Sequence, residues 1–173
     1  MKTTLFVSCS LIVLAGSAIA GTAATGRAAH DARVSVAFIH PEGFSDAGPK
    51  WSDRERDGIL RGLGGSMQRS AAQYLRDDLQ LEIKVKNVDL AGEFEGWRGA
   101  QYQDLRVIRD VYPPRMTIDF QLRDGRGRVL SQGESKLSNP NFLFGDQSGL
   151  DPLRHDKALF RDWLRSEFSE YRK

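Results

Sequence analysis

The sequence predicts an α+β fold, a two-layer sandwich of about four mostly antiparallel strands with two long helices on one face, in the order β-α-β-β-β-α. Three observations carry this prediction. Leu79, Leu81, Ile83 and Val85 alternate with Gln80, Glu82, Lys84 and Lys86, so one face of that strand is buried and the other wet. Two stretches, beginning near Ser52 and Asp151, repeat apolar residues every three or four positions, the period of a helix with one buried stripe. The outer faces of the later strands are polar, which leaves one side of the sheet for both helices.

The first strand alternates Val34, Val36 and Phe38 with Ser35, Ala37 and Ile39 and stops at Pro41; being apolar on both faces, it is expected at a central position. Ser52-Asp53-Arg54-Glu55 spells a capping box, in which serine and glutamate side chains each satisfy an orphan amide at a helix start. From there Ile59, Leu63, Met67, Ala71, Tyr74 and Leu75 form the buried stripe, with Arg54, Arg61, Arg69 and Arg76 off it. Gly58, Gly62 and Gly65 share one side of this helix, each at a cost of about 0.8 to 1 kcal/mol relative to alanine. Close packing on the sheet is the expected compensation, and approach by a partner or neighbouring helix the alternative.

After the second strand the alternation slips at Asn87-Val88, as an inserted bulge residue would produce. Met116, Ile118, Phe120 and Leu122 then point inward opposite Arg115, Thr117, Asp119 and Gln121. Asp124-Gly125-Arg126-Gly127 turns the chain into a strand from Arg128 to about Leu137, completing a hairpin. Asp151-Pro152 opens the last helix, whose inner stripe is Leu153, Lys157, Phe160, Leu164, Phe168 and Tyr171, with Trp163 beside it. Arg172 and Lys173 suit the helix's negative C-terminal end.

Residues 1–20 read as a signal peptide: Lys2, an apolar run from Leu5 to Leu14, and Ala18-Ile19-Ala20 as a small-x-small cleavage site. Residues 21–32 then form a flexible leader and 33–173 a single domain, located in the periplasm or secreted. Cys9, the only cysteine, lies inside the apolar run, so the mature chain carries neither disulfide nor lipid anchor and must hold together by packing. The formal net charge of +2 includes Lys2, so the mature chain is nearly neutral and nucleic acid is not an expected partner. No later apolar run reaches the ~20 residues a membrane span needs.

The unusual chemistry concentrates between Ala91 and Pro114, a connector too long for routine use and too aromatic and charged for a linker. Arg98, Arg106, Arg109 and Arg115 outnumber Asp104 and Asp110 and are interleaved with Trp97, Tyr102 and Tyr112. Guanidinium groups clamp carboxylates or phosphates and rings stack on sugars, so Glu93, Phe94, Trp97, Arg98, Arg109, Asp110, Tyr112 and Arg115 form the candidate binding surface. The competing expectation is a self-satisfied network, with arginines paired to acids and Trp97 and Tyr112 buried as anchors.

Three blocks, Val88 to Gly99, Val107 to Arg115, and Asp151-Pro152-Leu153-Arg154 followed by Lys157 and Asp162-Trp163, stand in that order behind an export signal. Together they resemble the bacterial exported family catalogued as domain of unknown function 3016, over Val34 to Phe168. The resemblance implies an exported protein of Gram-negative bacteria and supplies no reaction, cofactor or catalytic residue.

Other chemistry finds less footing. Glu93 and Glu95 are a carboxylate pair of the kind glycoside hydrolysis uses, but two loop glutamates are more simply solvated charges. His40 and His155 lack ligand-spaced companions and no serine sits in a nucleophile elbow, so neither a metal, a cofactor nor acyl transfer is expected. The leading expectation is a non-enzymatic binding domain for an envelope protein or polymer. Its rivals are a small envelope hydrolase or transferase using Glu93, Glu95, Asp110 or His155 as proton carriers, and a structural domain that offers an open sheet edge for assembly.

Overall fold

The computed structural model describes residues 33–49, 52–99, 105–145 and 150–173. The expected signal peptide and leader lie outside the described residues, as do Tyr102 and Asp104. The elements run β1 (Val34–Phe38), α1 (Asp53–Tyr74), β2 (Gln80–Asp89), β3 (Glu93–Phe94), β4 (Arg106–Val107), β5 (Arg115–Arg123), β6 (Val129–Ser138) and α2 (Arg154–Glu167). The main sheet has the order β1-β2-β5-β6, with β1 parallel to β2 and the other neighbours antiparallel, so the fold is α+β with a mostly antiparallel sheet. β3 and β4 form a separate antiparallel pair.

The core follows from the periodicities. Leu81, Ile83, Val85 and Val88 of β2 and Met116, Ile118 and Leu122 of β5 are buried together with Leu63, Met67 and Ala71 of α1 and Leu159, Phe160 and Leu164 of α2. Each such leucine-sized side chain contributes about 1.5 to 3 kcal/mol by leaving water. Trp163 packs edge-on against Phe120 and Phe168, at 5.4 and 5.2 Å between ring centroids, and its indole N–H donates to Ser135 Oγ on β6 at 3.2 Å. The opposite face of the sheet is polar: Lys86 pairs with Asp119 and Glu134, and Gln121 donates to Gln132 at 2.7 Å.

Ser52 caps α1 by accepting from Glu55 N at 3.3 Å, while its own amide donates to Pro49 O rather than to Glu55, so half of the capping box forms. The bulge falls where the alternation slips, with the β2–β5 register shifting between Val85 and Asn87. There the Asn87 side chain accepts from Ser45 N at 2.8 Å and donates to Ser45 Oγ at 2.9 Å, tying the segment after β1 to the bulge. In the β5–β6 turn, Asp124 accepts from the amides of Arg126 and Arg128, and Gly127 takes φ +79°.

Three expectations are corrected. β1 is an edge strand, not a central one: among the described residues only β2 pairs with it, and Ser35 and Ala37 on its outer face and Ile39 just after it are exposed. The glycines that share a helix side are not the ones that pack. Gly64 is, since a Cβ there would stand 3.1 Å from the Phe38 ring, whereas Gly58 and Gly62 are exposed with nothing nearer than 3.9 Å. Asp151-Pro152 does not open the last helix: Asp151 Oδ1 accepts from Leu153 N at 2.9 Å in a separate turn and α2 starts at Arg154, while Phe168 ends the helix and Tyr171 lies in a short 3-10 turn after it.

Because Gly58 and Gly62 are exposed helix-interior glycines with room for a methyl group, Gly58→Ala and Gly62→Ala should each raise stability by about 0.5 to 1 kcal/mol. Urea denaturation midpoints check this, and a loss of stability would show that the bare backbone has another use.

Candidate functional site

The connector leaves β2 at Leu90 and re-enters the sheet at Arg115, and its shape is set first by Gly92. This residue has φ +83°, and a Cβ on it would lie 2.6 Å from Ile108 Cδ1 and 2.7 Å from the Val107 carbonyl. Only glycine fits both the backbone and the space. Its amide donates to Tyr112 O at 3.0 Å, closing the base of the excursion, and β3 pairs with β4 through Glu93↔Val107 and Phe94↔Arg106.

Above this base, Glu95 is fully buried. Its Oε1 accepts from Arg109 Nη1 at 3.2 Å and from the Tyr112 hydroxyl at 3.3 Å, while Arg98 Nε stands 2.8 Å from Oε2. Burial first, and then the Glu95 carboxylate, push the Tyr112 phenol above its ordinary pKa. The chain turns through Gly96–Arg98 directly after Glu95, and this turn leaves the Trp97 side chain 70% exposed. Leu105 and Val111, on the same connector, are 53% and 64% exposed.

Below it, Arg106 reaches back across the sheet end. Its guanidinium donates to Gly92 O at 2.9 Å and to Asp46 Oδ1 at 2.8 Å, and lies 4.6 Å above the Phe94 ring. Asp46 belongs to the segment after β1, where its backbone bridges Val88 and Leu90 in parallel with the end of β2. The first turn of α2 adds Asp156, buried, whose Oδ1 accepts from Ala91 N at 3.1 Å. Burial pushes the Asp156 carboxyl up to about 6, against the hydrogen bond from Ala91 and the attraction of Arg106. The neighbouring His155 is buried with its ring edge-on to Phe142 at 4.8 Å, and burial lowers its pKa.

The structure therefore brings Trp97, Arg98, Arg109 and Tyr112 together around Glu95. It sets the other four apart: Phe94 lies beneath Arg106, Glu93 accepts from the amide of Phe94, Asp110 is exposed, and Arg115 pairs with Asp89 at 3.2 Å. Trp97 is not a buried anchor, and Glu95 is not a solvated charge. The proton carriers of the hydrolase reading have separate surroundings, with Glu95 engaged by two guanidiniums, Asp110 in water and His155 against an aromatic ring. No metal-holding group of His, Cys, Asp or Glu occurs among the described residues. Asp46 and Asp156 carried no local signal, because what gives them meaning is an arginine and an amide about sixty residues away.

The family described as "Protein of unknown function (DUF3016)" matches residues 32–166, and the chain belongs to this family. No curated protein matches it.

The buried Asp156 makes stability depend on pH. Its folded pKa of about 6 lies above the ordinary 3.8, so the folded state holds the proton more tightly and stability falls as pH rises between these values. At roughly 1.4 kcal/mol per pKa unit, the penalty is about 3 kcal/mol at neutral pH. Asp156→Asn should remove it, so the stability difference between variant and wild type should widen from pH 4 to pH 7 in urea titrations. His155 titrates in both proteins and cancels in the comparison. A flat difference would contradict this assignment.

Proposed function

We propose that this chain is exported to the periplasm, or secreted, and there acts as a non-enzymatic binding domain for an envelope protein or polymer, using the connector as its contact surface. The observation that carries this reading is Trp97, an indole held in water on a turn whose base is fixed by Glu95 and two arginines. Tryptophan and arginine dominate the energetics of binding surfaces because they bury large areas and donate several hydrogen bonds. A solvent-facing indole on a rigid base loses little conformational entropy when it is covered.

The surroundings of Trp97 point the same way. The register Asp89↔Arg115↔Ser138 puts the connector, the end of β6 and the start of α2 at one end of the sheet. Phe144, 89% exposed, and Leu150, fully exposed, follow β6 at that same end. Among the described residues, of the exposed large apolar side chains only Val129 starts a strand at the other end. Arg98 and Arg109 are about half exposed, so each keeps donors for a ligand beyond its bond to Glu95.

Export is tested by fractionation. The mature protein should begin near Gly21 and leave cells by osmotic shock, and deletion of residues 1–20 should trap it in the cytoplasm; full-length protein in the cytosol would refute export. For binding, a photo-crosslinking residue at position 97 should yield envelope adducts, while one at Arg126, in the turn at the opposite end, should not. Trp97→Ala should keep its stability within about 0.5 kcal/mol, as expected for an exposed side chain, yet lose co-sedimentation with envelope material. Equal adducts at both positions, or none at 97, would refute the contact surface.

A further inference from the structure

At the end of the molecule away from the connector, α1, α2 and the C-terminal residues enclose a groove of about 350 Å³. α1 contributes Ser70, Gln73 and Tyr74, and Leu164 of α2, itself 1% exposed, forms an apolar floor. The remaining lining is four cations, Arg161, Arg165, Arg172 and Lys173, and among the described residues no acidic side chain lines the groove.

Two of these charges are compensated from outside. Arg165 pairs with Asp162 at 2.9 Å and Lys173 with Asp77 at 2.8 Å, an aspartate also shared with Arg33. The guanidiniums of Arg161 and Arg172 have neither a hydrogen-bond nor an ion-pair partner among the described residues. Moreover, Arg161 and Arg165 stand one turn apart on α2, a spacing at which like charges repel.

Helix C-termini attract cations, and both helices end here, so this is the explanation to weigh first. Main-chain amides, however, already serve three of the carbonyls in these last turns. Ala71 O accepts from Leu75 N at 2.9 Å, Tyr74 O from Lys173 N at 3.0 Å, and Leu164 O from Phe168 N at 3.0 Å. The guanidiniums of Arg161 and Arg172 are left over.

We infer that this groove is a binding site for a phosphate-bearing ligand. Two uncompensated guanidiniums match a dianionic phosphate monoester better than a single carboxylate, and each can clamp two of its oxygens. Ser70, Gln73 and Tyr74 bring further polar groups to the same space, and Leu164 suits an apolar portion of the ligand. The volume falls in the lower range of small-molecule sites, enough for a phosphate carrying a group the size of glycerol or a sugar. The same chemistry occurs in a soluble phosphate ester and in a lipid headgroup. The site is remote from the connector, so it stands or falls independently of the proposed function.

The test uses the mature protein, the double variant Arg161→Gln/Arg172→Gln, and Arg126→Gln as a remote control. Glycerol 3-phosphate is titrated calorimetrically, and phosphatidylcholine vesicles doped with phosphatidate are used in flotation. Both replaced arginines are exposed, and thermal melts establish that each variant folds. Wild type and control should bind saturably, with affinity falling as salt rises, and the double variant should bind at least tenfold more weakly. Binding of glycerol 3-phosphate without vesicle flotation assigns a soluble ligand; flotation that is abolished in the double variant and competed by inorganic phosphate assigns a headgroup. No saturable binding by folded wild type, or binding unaltered in the double variant, overturns the inference. A double variant that merely melts lower, with no phosphate binding by wild type, would return the four cations to the helix ends.

Discussion

A carboxylate without access to water fixes the shape of the connector. Glu95 is buried in a segment with little regular structure, and an unpaired charge in that position would cost several kcal/mol. Arg98, Arg109 and Tyr112 supply the compensation, and they come from both limbs of the excursion. Satisfying Glu95 therefore requires the outgoing and returning chain to meet, a constraint that the two-residue strands β3 and β4 alone are too short to impose. The same network explains why Trp97 faces outward: with Glu95 buried and Arg98 drawn back to it, the intervening Gly96 and Trp97 form the crest of the turn.

A second polar tie ties this connector to the rest of the molecule. Arg106 joins the connector to Asp46 after β1, and Asp156 joins it to α2 through the Ala91 amide. Three segments far apart in sequence are thus locked at one end of the sheet by groups that are expensive to leave unmade. The tie is not a purely stabilising device, since Asp156 is buried strongly enough to raise its pKa to about 6. Its return is specificity of placement: a hydrophobic contact between Ala91 and α2 would tolerate sliding, whereas an amide aimed at one carboxylate oxygen does not.

What could be read from the sequence was local. The alternation in β2 and β5, the Ser52 cap and the slipped register at Asn87 each depend on residues within a few positions of one another, and each occurs as the pattern indicates. The edge position of β1 has no local signature, because Val34, Val36 and Phe38 look the same whether one or two neighbours pair with the strand; the exposure of Ala37 and Ile39 is settled by topology. Gly64 was hidden among its neighbours for a similar reason, since the glycine that matters is the one opposite Phe38 and not the one in helical register with other glycines. The connector stood out by composition, but composition could not say which of its rings is buried. The burial of Glu95 and His155 depends on partners that only the folded chain brings near.

The faces of the sheet leave little for a partner to use, which directs attention to the ends of the molecule. One face is covered by α1 and α2, and the other spends its charges internally, with Lys86 between Asp119 and Glu134 and Gln121 bonded to Gln132. An incoming surface would have to break those pairs and desolvate both members before gaining anything. The long edge of β6 carries Glu134 and Lys136 in mid-strand, the kind of charge placement that discourages strand addition and weighs against the edge-assembly reading. At the ends the balance reverses: near the connector apolar side chains meet water, and between the helix C-termini two guanidiniums meet no acidic side chain among the described residues. Both are local deficits that this fold leaves uncompensated, one of apolar contact and one of negative charge. A ligand correcting either would do so without dismantling an existing interaction.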